Sequence, residues 1–217
     1  MKTLLSDLYQ RELNNFVAVR QKFVDVEMAG PFLVSPNESY ERQPHPLLTI
    51  GQETKGWGCH VDNINDQMLV YEKFNLGQNY YSSPFWNIMR KVEKLLGNEP
   101  YSSAWTNVSK FDLRGGRAYG EYEAVISTLD RLLVEEIKIL QPKVCLFYTG
   151  PAFDYRLGRI FAGIEFQHIE GYSTRQFARL VHDDLPALTF RSYHPNYMRR
   201  SGMESGFLET VAASVVP

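Results

Sequence analysis

The chain has 217 residues, 44% of them hydrophobic and 22% charged, which is enough to bury a sizeable core and fits one globular domain. A formal net charge of -2 and a sequence pI near 6.2 exclude the global basic field of many nucleic-acid binders, so any polyanion has to be met by a local patch. Only two cysteines, Cys59 and Cys145, are present, which excludes a disulfide framework and a four-cysteine zinc or iron–sulfur site.

The opening "MKTLLSDLYQ" has too short an apolar run for a secretory signal, Asp7 interrupts it, and no later run approaches membrane-spanning length. A cytoplasmic protein without membrane association is expected. Leu4, Leu5, Leu8, Leu13, Phe16, Val17, Val19 and Phe23 recur at helical spacing, which predicts an amphipathic helix in the first 27 residues. The following "AGPFLVSPNESYERQPHP" holds four prolines and reads as an irregular lead-in.

Four short apolar runs then read as strands: "LLTI" (47–50), "AWTNVS" (104–109), "KVCLFYT" (143–149) and "ALTFRSY" (187–193). Helical patterns separate them. "SPFWNIMRKVEKLLG" starts at Ser83–Pro84 and stops at Gly97, "GEYEAVISTLDRLLVEEIKILQP" reads as one long amphipathic helix closed by Pro142, and "PAFDYRLGRIF" opens on proline just after a glycine. A closing helix is expected from about Ser201. Apolar strands alternating with helices predict a three-layer α/β/α sandwich around a central, mostly parallel four-stranded sheet, with residues 1–217 forming one domain.

In such sheets ligands bind outside the carboxyl ends of the strands. Those ends carry "GQETKGWG", "NVSKFD", "TGPAFD" and "YHPNYMRR", so Gln52, Glu53 and Lys55 stand where a site would be. No G-x-S-x-G elbow is present for a serine hydrolase. "GQETKG" matches a P-loop only in its two glycines, since Trp57 follows in place of lysine. The five histidines show no metal-ligand spacing, so neither metal nor cofactor is expected.

The ordered set of strand-end motifs resembles the uracil-DNA glycosylase superfamily over most of the chain. Gly51, Gln52, Glu53, Thr54 and Lys55 correspond to a Gly-Gln-Asp-Pro-Tyr type loop, and "YYSSPFWNIM" to an aromatic-rich loop leading into a Phe-Trp helix. Asn107 in "WTNVS", the "ILQPKVCLFYTG" strand, and His194, Pro195, Asn196 and Tyr197 in place of His-Pro-Ser-Pro complete the match.

The resemblance implies a monofunctional DNA N-glycosylase of base-excision repair that flips a damaged or deaminated base, uracil first, out of single-stranded or mismatched DNA. It implies no metal, no cofactor and a monomer. In this reading Glu53 orients the attacking water, His194 stabilises the departing base, and Gln52 and Asn107 meet the base, with Trp57, Tyr80 or Tyr81 stacking on it and the two tyrosines preferred for their place before the Phe-Trp helix. Arg191, Arg199 and Arg200 would contact phosphates, and Tyr197 or Met198 would be the wedge inserted into the base stack.

Two departures stand out. Glu53 replaces the usual aspartate, and Lys55 replaces the tyrosine that excludes thymine in the most uracil-selective members, so this position gives uracil selectivity no support. Structural alternatives stay open at each residue: Asn107 as a strand-end cap, Glu53 as a loop acid paired with Lys55, the aromatics as core, and the arginines as solvated charge. The rival function is a catalytically silent binder of nucleic acid or a partner on the same scaffold.

Overall fold

The computed structural model describes residues 1–58, 61–79 and 83–215. Its elements, in chain order, are α1 (Lys2–Gln21), β1 (Met28–Ala29), β2 (Leu47–Gly51), α2 (Ile64–Phe74), α3 (Pro84–Leu95), β3 (Ala104–Asn107), β4 (Asp112–Leu113), α4 (Glu121–Ile126), α5 (Arg131–Leu140), β5 (Val144–Phe147), α6 (Asp154–Ile160), β6 (Glu165–His168), β7 (Phe177–Val181), β8 (Leu188–Ser192), α7 (Pro195–Arg200) and α8 (Glu204–Ala213).

The main sheet has the order β3-β2-β5-β8-β7-β6. The β3-β2-β5-β8 half is parallel throughout, while β7 pairs antiparallel with β8 and β6 antiparallel with β7. Successive side chains on a strand point to opposite faces. Along β5, accordingly, Val144 and Leu146 join one buried cluster with Ile88 and Val92 of α3 and Phe207 of α8, while Cys145 and Phe147 join another with Leu5 of α1, Met68 of α2 and Leu133 of α5. Both faces of the sheet are covered, which makes three layers.

The sheet has six strands, and this corrects the expected four. The missed pair lacks the signal that found the others: β7 alternates buried and exposed residues, and β6 is mostly exposed. The expected long helix over 120–142 is interrupted between α4 and α5. Ser127 and Thr128 donate their hydroxyls to the Ala124 and Val125 carbonyls, local bonds that compete with a continuous helical ladder. Helix α2 was not anticipated. Asn63 caps it by accepting the Asp66 N–H at 3.1 Å.

Between β2 and β5 the chain order reverses, since β2 leads to β3 on one side and the later strands lie on the other. A crevice opens outside the carboxyl ends at such a switch point. Among the described residues no helix is long and apolar enough to cross a membrane.

Candidate active site

A cavity of about 630 Å³ lies at this crevice, and its lining draws on Gln52 and Glu53 after β2, Asn107 at the end of β3, Phe85 of α3 and His194 after β8. The volume falls inside the range of roughly 300–1,000 Å³ common for small-molecule pockets.

The loop leaving β2 is tied down at several points. Its backbone extends the sheet, with the Val108 and Ser109 N–H groups donating to the Gly51 and Gln52 carbonyls at 3.0 and 2.8 Å. The Gln52 side-chain amide donates to the Thr149 carbonyl at 2.6 Å and so fastens the loop to the end of β5. Asp112, in β4, accepts the Thr54 hydroxyl at 2.7 Å and the Gly56 N–H at 2.9 Å on one oxygen, and the Gly115 N–H at 3.0 Å on the other. Sequence reasoning missed Asp112, whose role depends on a return of the chain that no local pattern announces.

Glu53 is thereby held in the wall, and its Oε2 is buried without a hydrogen-bond partner. Burial pushes its pKa up to about 7; the Arg117 charge opposes the shift and the Asp112 carboxylate adds to it. Arg117 in turn bonds Glu123 at 3.2 Å and lies over the Phe153 ring at 4.2 Å.

Asn107 is 1% exposed, yet neither its amide nitrogen nor its oxygen has a partner. Leaving a buried polar group unpaired costs on the order of 1–3 kcal/mol, so an open donor–acceptor pair at the cavity wall is a cost to stability that ligand recognition would explain.

His194 is the N-cap of α7, and its Nδ1 accepts the Asn196 N–H at 3.2 Å. With Nδ1 accepting, the proton of the neutral ring sits on Nε2. The residue is exposed, yet desolvation by the protein around it lowers its pKa below the ordinary histidine value, which favours the neutral ring. Its ring lies 5.7 Å from that of Phe85, tilted by 30°.

Aromatic rings form the remaining wall. Trp57 and Trp105 meet nearly perpendicular at 5.6 Å, and Trp86 packs against Trp105 at 4.9 Å. Phe85, Trp86 and Trp105 were not singled out as site residues, although "SPFW" and "AWTN" display them. The expected stacking residues Tyr80 and Tyr81 lie outside the described residues.

Two expectations for the basic loop need correction. Arg191 is 1% exposed, bonded to Asp154 at 2.9 Å and to the Thr174 and Arg175 carbonyls, so its guanidinium is turned inward rather than toward a phosphate. Met198 is fully buried and accepts the Ser192 hydroxyl through its sulfur, which removes it as a wedge. Tyr197, by contrast, is 52% exposed and packs on Tyr193, and Arg199 and Arg200 are exposed in the last turn of α7. Lys55 is exposed at the cavity rim, and no ion pair joins it to Glu53.

Among the described residues no group of three His, Cys, Asp or Glu is placed to hold a metal ion. Comparison with models of known protein families and with curated proteins gives no match.

Proposed function

We propose that the protein hydrolyses the N-glycosidic bond of a base flipped out of DNA. The observation that carries this reading is the unpartnered Asn107 carboxamide in the same cavity as a neutral His194 and a desolvated Glu53. An amide offering one donor and one acceptor pairs with the complementary edge of a base. As the bond from C1′ to the base nitrogen breaks, its electron pair leaves with the base and the Nε2–H of His194 donates to the developing anion. Ionised Glu53 favours the cationic sugar and takes a proton from the water that adds to C1′.

Uracil in single-stranded or mismatched DNA is the first substrate to try, because an unpaired base costs less to flip. Tyr197, Arg199 and Arg200 stand exposed on α7, the helix that His194 caps, and are the groups assigned to the flanking backbone. A second reading, a silent nucleic-acid or partner binder, draws support from Glu53: with a pKa of about 7 it is half protonated at neutrality, which weakens it as a base.

Incubation with uracil-, hypoxanthine- or mismatch-containing oligonucleotides, followed by alkali, separates the two readings. Strand scission at the modified base is the expected outcome. DNA binding without scission on any lesion would leave the silent-binder reading in place.

A further inference from the structure

The rim of the cavity carries groups that the proposed chemistry does not use. Gly115 lines it beside Lys55, whose Cγ would lie 3.6 Å from a Cβ on that glycine. This glycine belongs to "LRGGRAY" (113–119), a segment with two arginines and no acid. A tight turn shapes it. The Leu113 and Gly116 backbones exchange two hydrogen bonds of 2.9 Å, and Arg114 and Gly115 between them have φ of 51° and 72°. Positive φ at both central residues is the pattern of a type I′ turn, which favours Gly, Asn and Asp. Arg114 is held there against its steric preference, with its N–H donating to the Glu27 carbonyl at 2.9 Å, and its side chain is exposed.

Two exposed aromatic rings continue this rim. The Arg117 guanidinium lies 5.2 Å from the centre of the Tyr119 ring, which is 67% exposed. Glu123 accepts from both Arg117 and the Tyr155 hydroxyl, and so brings Tyr155, 51% exposed, into the same cluster. The carboxylate of Glu123 is thereby taken up, and Glu121 is the exposed acid nearby in the chain. Lys55 and Arg114 are both exposed and enter no ion pair among the described residues.

Solvent-facing rings beside free cations match what a single-stranded nucleic acid offers, which is open base faces for stacking and phosphates for the cations. A duplex keeps its base faces in its own stack. We infer that this rim is a platform for a single-stranded DNA segment adjoining the base in the cavity, with Tyr119 and Tyr155 stacking on its bases and Lys55 and Arg114 meeting its phosphates. The inference rests on the glycosylase reading for what occupies the cavity. Arg117 acts as a positioning residue, since it backs Tyr119 on one side while Glu123 fixes it on the other. The platform stands on different elements from α7, so the strand has two separate surfaces to hold it.

Anisotropy titrations with a labelled, undamaged single-stranded oligonucleotide and with its duplex test this. The wild type should bind the single strand more tightly than the duplex. Tyr119→Ala should weaken single-strand binding roughly 5- to 100-fold, the value of one stacked base, while Tyr119→Phe, which keeps the ring, should stay near the wild type. Tyr155→Ala should weaken it in the same way. Glycine suits the left-handed backbone at position 114, so Arg114→Gly should fold as well as the wild type and reduce the salt slope on the single strand by about 0.7. Wild-type affinity no higher for the single strand than for the duplex, or single-strand affinity unchanged in both tyrosine-to-alanine variants, overturns the platform.

The undamaged probe keeps this result apart from the chemistry. Single-strand binding that is lost in Tyr119→Ala, in a protein that excises no lesion, would sustain the platform and remove the hydrolytic reading. Excision by the wild type with single-strand affinity unchanged in both alanine variants would remove the platform and leave that reading standing.

Discussion

Gly51 and Asn107 are register partners on adjacent parallel strands, and a Cβ on Gly51 would overlap the Asn107 side-chain oxygen. The glycine that ends β2 is thus what lets the carboxamide stand at the cavity wall. Gly51→Ala should force Asn107 aside, with a stability loss of about 1–3 kcal/mol typical of overpacking and a loss of excision comparable to Asn107→Ala. In an Asn107→Ala background the collision is gone, so the same glycine substitution should cost much less. Urea unfolding and excision assays on the double-mutant cycle check this; strict additivity would deny the coupling.

Glu53 gives a pH dependence of definite sign. Its folded-state pKa of about 7 exceeds the ordinary value of 4.5, so between these the native protein holds a proton that the unfolded chain has released. Stability should fall as pH rises through that window and level off above it. Glu53→Gln should flatten this part of the profile. Excision needs the ionised carboxylate and should instead rise with an apparent pKa near 7, a limb absent in Glu53→Gln. Denaturation midpoints and single-turnover rates from pH 5 to 9 measure both.

The arginines should separate into two kinds. Arg199→Ala with Arg200→Ala should weaken DNA binding on all sequences alike and reduce the salt slope by about 2 on duplex DNA, since each phosphate contact releases roughly one counterion. Arg191→Ala should leave the slope unchanged and destabilise the fold by about 3 kcal/mol, because Asp154 and two carbonyls lose their donor. Anisotropy titrations across salt concentrations, alongside urea melts, distinguish them. An unchanged slope in the double variant would remove DNA from that face.

What could be read from the chain follows from burial. Strands β2, β3, β5 and β8 are covered on both faces, so nearly every residue is apolar or small and the run itself is the signal. Strand β6 is the edge of the sheet and mostly exposed, and β7 beside it mixes buried and exposed residues, so over five residues or fewer the pattern is easily lost. The site was legible for the same topological reason: Gly51, Asn107 and His194 end or follow parallel strands, so their convergence needs only strand order. Asp112, Arg117, Trp86 and Trp105 were not, because their roles depend on side chains meeting across elements. Arg191 and Met198 show the converse error. A basic or apolar residue in a strand-end loop looks available until the fold shows which side it faces.

His194 combines a structural and a chemical task, and the two can be separated. Its Nδ1 caps α7, while its Nε2–H is the donor assigned to the departing base. His194→Ala should lose both, at a cost of about 1 kcal/mol in stability for the cap and roughly 10²- to 10³-fold in excision rate for the donor. His194→Ser should restore the cap through its hydroxyl, since serine is a favoured N-cap residue, yet its side chain is too short to replace Nε2. Stability should therefore recover in the serine variant while excision stays as slow as in the alanine variant, with DNA affinity unchanged in both. Had His194 only a capping role, excision would recover with stability, and the assignment of the leaving-base donor would pass to the backbone N–H groups of the loop after Gly51.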